Sequence, residues 1–552
     1  MNKTIEIINN LKHNYIISDG KLLTSKFGMG SEEKRLLLKI SKNANHTIFI
    51  MGIGIGRYVR NILNSAKKFN HIIIYEPSQE IYNNFKTSRY YIEDDSIDYI
   101  CGDIDIFEKK ISNKGISFRH LTIASYGNYE EVFCKEYLEM LKILKNKSSI
   151  SLTNEVTIQH HSRKFTENLI LNIVNGKFND NINDYKNYFE KIPALIMSAG
   201  PSLDKNYDLI KDFKGIIFSG GRTLKLLKRD HIENVMFVSV DPSEKAYSLV
   251  SDVFNEEFRY PFFTFFESTH NIIKHYSGPK IIMQSYFTDL YNSGIIKSEV
   301  GHMSTGGSVA NASVAIADYL GCDPIVFVGQ DLAFTDNKHH SDSTMQSFDF
   351  DVNNENLTEV DGYYDEKVTT SRNLLGFLDW FNEKIAISDK DYINCTEGGV
   401  KIAGTNQLPF VEYIQNQLDI TDKRYDDFVE KLESSSLELI EKEFDDILEN
   451  VIAVRKIVKK ALLASLDLKN KSLGTNKINK VLDKLNNYDD EIKKYSKLNS
   501  LLNFITSNVL ITFKNRKIGK DESVASNNYK FYEDLYEEVK VVEEIIGGVY
   551  GE

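Results

Sequence analysis

The amino-acid sequence predicts an α/β fold: two Rossmann-like, doubly wound domains followed by an all-α C-terminal helical domain. In two successive stretches, short apolar runs that end in Gly, Ser, Asp or Gln alternate with helical patterns, as in parallel sheets covered by helices. The final stretch has almost no Gly or Pro before its terminal GGVYGE and places apolar residues three and four positions apart, which indicates amphipathic helices. A chain of 552 residues is too long for one core, and the expected domains are residues 1–185, 186–414 and 415–552.

The composition argues against several classes of protein. The formal net charge of −12 disfavours a nucleic-acid surface, which needs clustered Lys and Arg. The four cysteines are scattered without a CxxC pair, which disfavours a zinc site and a disulfide framework. The sequence has neither an N-terminal apolar segment nor an 18-residue apolar run, so we expect a cytoplasmic protein that does not span a membrane.

The first domain begins with polar, helical sequence and continues with the strand-like runs HTIFIM, HIIIYE, IDYIC and LTIAS. Gly52, Gly54 and Gly56 follow the first run and open a helix, Glu76 ends the second run, and Asp103 follows the third. This arrangement is similar to that of S-adenosylmethionine-dependent methyltransferases, in which glycines approach a cofactor and an acid binds its ribose. Alternatively, the glycine turn only packs a helix on the sheet. The DxD tripeptide that begins at Asp103 is too short to indicate a metal site.

Five strand-like runs in the central domain end in small or polar residues: PALIMSAG, GIIFSGG, VMFVSVD, FFTFFES and PIVFVGQD. The carboxyl ends of such strands form the ligand crevice of open α/β sheets. After the first run, Gly200 leaves room for a ligand, Pro201 stiffens the turn, and Ser202 can cap a helix that begins at Leu203. A nucleotide phosphate would meet helix N–H groups there, although a plain helix cap explains the same residues.

A second turn of this kind consists of Thr305, Gly306, Gly307 and Ser308, immediately before the helical pattern VANASVAIADYL. Small hydroxyl residues and glycines at a helix N-terminus suit an anion. Together, the two turns predict a site for the phosphate of a nucleotide ligand in the central domain.

Four side chains are candidates for proton transfer or for contact with a leaving group. His339 and His340 lie on a polar stretch after the last run. One of them would take a proton from an acceptor hydroxyl near neutral pH, or both only face solvent. Tyr363 and Tyr364 would offer phenolic hydroxyls to a leaving phosphate, a weak choice in a chain with 30 tyrosines.

A series of motifs occurs in a fixed order: SAGPSLDKN, VSVDPSE, GHMSTGGSVANASVAIADYLGCDPIVFVGQDLAFTDNKHH, VTTSRNLLGFLDWF and INCTEGGVKIAGT. It resembles the motility-associated factor (Maf) family of flagellin glycosyltransferases over roughly residues 190–410. The central domain is also similar to bacterial sialyltransferases and to the hydroxymethylpterin diphosphokinase MptE-like family. The resemblance implies that a CMP-activated nonulosonic acid, pseudaminic or legionaminic acid, is transferred with inversion to Ser or Thr of flagellin. No metal or further cofactor is required by this scheme, and the C-terminal helices would dock flagellin.

Roles are expected of individual residues. Catalysis is expected of His339, His340 and Asp331, although the loop around His339 does not align simply with the general base of the sialyltransferases. Donor binding is expected of Gly200, Pro201, Ser202, Leu203, Ser219, Gly220, Asp241, Thr305, Gly306, Gly307, Ser308 and Gln330.

Two other functions remain open. The central domain also fits a pyrophosphokinase of the hydroxymethylpterin type, which would move pyrophosphate from ATP with magnesium held by Asp241 and Asp331. The long flanking domains argue against it, because a small-molecule kinase needs no docking surface. Alternatively, the chain is a flagellin-binding chaperone that has an enzyme fold but no catalytic activity.

Overall fold

The structure is a computed structural model of the chain. It describes residues 3–9, 14–25, 29–40, 47–65, 71–112, 118, 121–255, 258–285, 296–303, 306–334, 340–344, 357–364, 366–418, 423–439, 445–470, 475–498, 509 and 524–549. The chain forms two compact units, residues 1–156 and 157–552, whereas the three-domain boundaries expected from the sequence stay a prediction. In the described part, no helix has the length and apolar character needed to cross a membrane.

The first unit contains seven labelled strands and the start of a long helix within its described residues. These elements are β1 (Ile5–Asn9), β2 (Asn14–Ser18), β3 (Lys21–Leu22), α1 (Met29–Lys39), β4 (Thr47–Met51), α2 (Val59–Ser65), β5 (His71–Glu76), α3 (Gln79–Lys86), β6 (Ile97–Cys101), α4 (Ile104–Ser112), β7 (Leu121–Ser125), α5 (Tyr129–Val132) and α6 (Cys134–Asn175), which extends into the second unit.

The four strands predicted for the first unit are confirmed. They form a parallel sheet in the order β6-β5-β4-β7. The central strand β4 is buried at all five positions, which explains its continuous apolar sequence. The glycine turn after β4 therefore lies at the carboxyl edge of this sheet.

The expectation of a helical start to the chain is wrong. Strands β1, β2 and β3 form an antiparallel sheet, and α1 begins only at Met29. Asp19 and Gly20 join β2 to β3 with φ angles of 49° and 74°, the left-handed backbone that a two-residue hairpin turn requires. An Asp-Gly pair directly after the run NYIIS is the sequence signal for this hairpin.

The second unit contains the remaining labelled elements. They are β8 (Asp180–Asn181), β9 (Ala194–Met197), α7 (Leu203–Asn206), β10 (Ile216–Ser219), α8 (Gly221–Arg229), β11 (Val235–Ser239), α9 (Glu244–Val250), β12 (Phe262–Phe265), α10 (His270–His275), β13 (Lys280–Met283), α11 (Val309–Tyr319), β14 (Ile325–Val328), β15 (Leu357–Asp361), β16 (Lys367–Ser371), α12 (Arg372–Ala386), β17 (Tyr392–Asn394), β18 (Asn406–Gln407), α13 (Phe410–Asn416), α14 (Arg424–Ser434), α15 (Asp445–Asn470), α16 (Thr475–Leu498) and α17 (Val524–Val549).

The second unit is built on a nine-stranded sheet in the order β18-β17-β14-β9-β10-β11-β12-β13-β8. All of its strand pairs are parallel. The five predicted strands, β9 to β12 and β14, are confirmed, and the sheet also includes β8, β13, β17 and β18. From β9 the chain proceeds outward through β10 on one side and through β14 on the other, so the strand order reverses at β9.

Helices cover both faces of this sheet. Along β9, Ala194 and Ile196 belong to the core that contains α11 and α12, whereas Leu195 and Met197 belong to the core that contains α7, α8 and α13. This alternation follows from the two-residue period of a strand. The doubly wound α/β fold predicted for the central region is therefore confirmed.

The predicted C-terminal helical region is also confirmed. Apolar residues of α15 and α17, among them Val454 and Val539, share a core with Phe262 of β12 and Ile272 of α10. An ion pair between Arg455 and Glu543 joins the same two helices. Within the second unit, the C-terminal helices thus pack against β12 and α10 through a continuous apolar core.

Candidate active site

A cavity of about 390 Å³ opens at the carboxyl edge of the nine-stranded sheet. Its walls include residues 198–200 after β9, residues 220–223 after β10 and residues 329–333 after β14. These three strands are neighbours, and β9 between them is the strand where the order reverses. Open α/β sheets bind their ligands at this topological switch point, and the volume lies within the range of small-molecule sites.

Asp331 connects the loop after β14 to the loop after β9. Its carboxylate is 2% exposed and accepts hydrogen bonds from the Ser202 amide, at 3.2 Å to each oxygen, and from the Ser202 hydroxyl. A Cβ atom at Gly200 would lie 2.3 Å from Asp331 Oδ2, so the close approach of the two loops requires glycine there. Hydrogen bonds to a carboxylate are among the stronger ones in proteins, and this contact fixes the loop after β9.

The expected helix cap at Ser202 is wrong. The Ser202 side chain makes no capping bond, because its hydroxyl donates to Asp331 instead. Helix α7 is only four residues long. Two amides at and before its start donate within the protein: Gly200 N donates to Gly329 O at 2.9 Å, and Leu203 N donates to Gly200 O at 3.0 Å.

Of the four residues predicted in the first turn, Gly200 lines the cavity, and Pro201, Ser202 and Leu203 do not. Ser202 and Leu203 are buried, and proline has no amide hydrogen to donate. Any contribution of these three residues to donor binding is therefore indirect, through the position of Gly200.

The second predicted turn lies before α11. Gly306 and Gly307 have φ angles of +55° and +88°, and a Cβ atom at Gly306 would lie 2.3 Å from Asn311 Cβ and 2.9 Å from the Trp380 ring. Ser308 caps the helix by accepting a hydrogen bond from Asn311 N at 3.1 Å. Ser308 lines the cavity together with the first residues of α11.

Thr305, the remaining residue of that turn, lies outside the described residues. Gly306 and Gly307 themselves do not line the cavity. Their positive φ angles direct the chain so that α11 presents its N-terminus to the cavity, which supports the expectation of an anion-binding helix start.

The predicted residues Ser219 and Gly220 follow β10. Ser219 is fully buried, hydrogen-bonds Thr223 Oγ1 at 2.7 Å and does not line the cavity, whereas Gly220 does. A Cβ atom at Gly220 would lie 2.9 Å from Val309 Cγ1. This glycine therefore allows the start of α11 to approach the end of β10.

Asp241 and Gln330 both line the cavity. Asp241 is exposed, and its Oδ1 accepts a hydrogen bond from Ser243 N at 2.7 Å. Gln330 is 4% exposed and accepts a hydrogen bond from the Ser198 hydroxyl. The structure thus brings both of these predicted polar side chains to the same cavity.

Of the two candidate bases, His340 lines the cavity and His339 lies outside the described residues. The position of His340 is fixed through its neighbour, because Ser341 N donates to Ala199 O at 2.9 Å. An imidazole at this place can take a proton from a hydroxyl that enters the cavity.

The two tyrosines considered for the leaving phosphate do not line the cavity. The Tyr363 hydroxyl donates to Asn394 O at 3.1 Å, and the Tyr364 side chain is 63% exposed. The structure therefore gives neither residue the predicted role.

The sequence-based prediction missed several residues that line the cavity. Arg222 and Lys245 bring positive charge to it, and Leu374 and Phe377 of α12 bring apolar surface. Arg222 directly follows the Gly220-Gly221 pair after a strand, which is a signal that the sequence offered. In the described part of the chain, no group of three or more His, Cys, Asp or Glu residues is placed to hold a metal ion.

The glycine turn of the first unit is packed by the protein's own side chains. A Cβ atom at Gly52 would lie 2.4 Å from the Tyr129 ring. Glu76, expected to bind a ribose, is fully buried, and its Oε2 accepts hydrogen bonds from Tyr129 O–H at 2.6 Å and from Ile53 N at 2.9 Å. Burial raises the pKa of Glu76 to about 7. Of the two interpretations of this turn, packing against the sheet fits these contacts.

The DxD tripeptide also has a structural role. Asp103 Oδ1 accepts a hydrogen bond from Ile106 N at 2.9 Å at the start of α4. A side-chain oxygen that accepts from an amide of the first turn is a helix cap.

Comparisons with known proteins agree with the resemblance seen in the motifs. A family model described as 6-hydroxymethylpterin diphosphokinase MptE-like matches residues 164–337. The solved structure of the MAf glycosyltransferase from Magnetospirillum magneticum AMB-1 is similar over 99% of this chain and 90% of that chain, with a TM-score of 0.54 and 13% sequence identity. A search of curated proteins found no match. At this identity, the structural likeness shows a common fold.

Proposed function

We propose that this chain is a glycosyltransferase that binds a CMP-activated nonulosonic acid in the cavity and transfers the sugar to a Ser or Thr hydroxyl of flagellin. The cavity at the switch point of the sheet carries the proposal, because it combines the start of α11, polar strand-end residues and apolar wall residues as a nucleotide-sugar site requires. The full-length likeness to the MAf glycosyltransferase supports the same reaction class. Pseudaminic and legionaminic acid are the expected sugars.

In this proposal, the reaction is an inverting displacement at the anomeric carbon. His340 takes the proton of the acceptor hydroxyl while the oxygen of that hydroxyl forms a bond to the anomeric carbon. The bond from that carbon to the phosphate oxygen breaks, and its electron pair leaves with CMP. Hydrogen-bond donors placed where this negative charge develops lower the barrier. Asp331 acts as a positioning residue, because its buried carboxylate holds Ser202.

Intact-mass analysis of flagellin from a deletion strain tests the proposal. Complementation with the wild type or with the control His231→Asn, an exposed histidine of the same unit, should restore the sugar mass. His340→Asn should leave flagellin unmodified, since loss of a general base lowers a rate about 10²- to 10⁴-fold. Flagellin of unchanged mass in the deletion strain would overturn the proposal.

A pyrophosphokinase is the second candidate, because the MptE-like family model covers residues 164–337. It would use Asp241 and Asp331 as magnesium ligands. In this structure, the Asp331 carboxylate accepts from Ser202 N and Oγ, and Asp241 accepts from Ser243 N. Calorimetric titration distinguishes the two functions: binding of CMP favours the transferase, and binding of ATP with magnesium in the absence of CMP binding favours the kinase.

The proposal assigns the docking of flagellin to the C-terminal helices. Exposed apolar side chains on α15 and α16 support this assignment: Leu463 is 57% exposed, Ile478 36% and Leu482 37%. Apolar surface of this kind is a common feature of protein interaction sites.

A further inference from the structure

Two basic side chains line the cavity close to the ends of neighbouring strands. Arg222 is the second residue of α8, which follows β10, and Lys245 is the second residue of α9, which follows β11. Strands β10 and β11 pair in parallel, so their carboxyl ends lie side by side. Two basic residues therefore line the cavity from the starts of adjacent helices.

The helix positions of these residues are electrostatically unfavourable. The N-terminus of a helix carries partial positive charge, so a cation in the first turn is less stable than an acid would be there. The first turn of α8 contains no acidic residue. The first turn of α9 contains Glu244, whose carboxylate accepts hydrogen bonds from Asn271 Nδ2 at 2.6 Å and from Thr269 Oγ1 at 3.4 Å. A bound anion would offset the repulsion between these cations and the positive ends of the helices.

The other basic residues of α8 provide a comparison. Of the basic residues of α8, Arg222 lines the cavity, and Lys225, Lys228 and Arg229 do not. Arg222 is half-buried. A guanidinium that is partly removed from water and directed at a cavity binds anions more strongly than an exposed one.

We propose that Arg222 and Lys245 form an anion-binding subsite that recognises a negatively charged group of the donor. Arg222 supplies the planar, bidentate contact and Lys245 supplies a point charge, while the start of α8 adds amide donors. The anion is the phosphate of the nucleotide or the carboxylate of the sugar acid, which share this chemistry. The inference rests on the proposed function, because it assigns part of the same cavity to the donor.

Isothermal titration calorimetry on the full chain tests the subsite with four probes: CMP, cytidine, N-acetylneuraminic acid and inorganic pyrophosphate. The variants are Arg222→Gln and Lys245→Gln. The matched control is Lys225→Gln, which removes the same charge from α8 outside the cavity. Thermal melting of each variant and the fluorescence of Trp380, the only tryptophan, confirm the fold.

A phosphate subsite predicts that Arg222→Gln binds CMP about 10-fold or more weakly than the control, with no change for cytidine. A carboxylate subsite predicts the same loss for N-acetylneuraminic acid and none for CMP. Equal affinities of Arg222→Gln, Lys245→Gln and the control for all charged probes would overturn the inference, as would a wild type that binds none of them.

The outcomes also separate this inference from the proposed function. If the wild type binds pyrophosphate but neither CMP nor the sugar acid, the CMP-sugar proposal fails. In that case, a loss of pyrophosphate binding in Arg222→Gln still supports the anion-binding subsite, and an unchanged affinity for pyrophosphate contradicts it.

Discussion

Replacement of Glu76 by Gln should remove a pH dependence from the stability of the first unit. Burial raises the pKa of Glu76 from 4.5 to about 7 in the folded chain. Because the folded-state pKa lies above the unfolded-state value, the neutral acid favours folding. This contribution is complete below about pH 4.5 and is lost as the pH rises through 7. The loss amounts to about 3 kcal/mol at 1.36 kcal/mol per pH unit, and most of it falls between pH 5 and pH 8.

Met51 offers a local probe for this measurement. It is fully buried in β4, beside Tyr75 in the sheet register, so its oxidation by peroxide reports opening of the first unit. Oxidation is followed by peptide mass spectrometry across a urea series at pH 5 and pH 8. Trp380 lies in the second unit, and its fluorescence in the same samples provides an internal control. The matched variant is Glu80→Gln, which changes an exposed carboxylate on α3.

The wild type and Glu80→Gln should lose more stability at Met51 between pH 5 and pH 8 than Glu76→Gln does, by about 2–3 kcal/mol. In Glu76→Gln, the new side-chain NH₂ group faces a backbone N–H that donated to the carboxylate, which destabilises the variant at every pH. The quantity to compare is therefore the change of stability with pH, not the stability at one pH. Equal slopes in Glu76→Gln and the wild type would refute the reasoning. A parallel change at Trp380 would show that the effect is not local to the first unit.

Three further perturbations test the second unit. Gly200→Ala should lower the free energy of unfolding of the second unit by about 1–3 kcal/mol, since the new Cβ would lie 2.3 Å from Asp331 Oδ2; an unchanged urea midpoint of the Trp380 fluorescence would contradict this. Ser202→Ala should cost about 1.5–3 kcal/mol in the same assay, because it removes a hydrogen bond to a buried carboxylate; full stability would mean that the loop does not depend on this bond. Leu463→Glu should reduce flagellin glycosylation in cells without weakening CMP binding in calorimetry; normal glycosylation would remove this leucine from the docking surface.

The strands of both sheets could be predicted to the extent that their sequences are continuously apolar. TIFIM, HIIIYE, ALIM and IVFV are buried on both faces, so each stands out from its polar flanks. Strands β8 and β18 have two residues each, which is too short for any period to appear. The hairpin at Asp19-Gly20 is different, because its turn residues are a recognised hairpin signal, whereas the strand that follows them has only two residues.

The position of the site could also be predicted, because parallel strands bring their carboxyl ends to one edge wherever they lie in the sequence. The residue that approaches each strand-end glycine could not be predicted. A glycine after a strand indicates that some group approaches closely, and the sequence does not say which. At Gly200 the group is the carboxylate of Asp331, and the Ser202–Asp331 bond spans 129 positions. At Gly52 it is the ring of Tyr129.

The charged residues carry the complementary information. A glycine or a serine at a strand end satisfies local backbone requirements, so its presence does not distinguish packing from ligand binding. Arg222 satisfies no such requirement, because a cation in the first turn of a helix is locally unfavourable. A residue that opposes its local preference at the edge of a ligand crevice has to be explained by something outside the helix. For this reason, Arg222 and Lys245, which line the cavity, support the proposed anion-binding subsite more strongly than the glycine turns at the same crevice do.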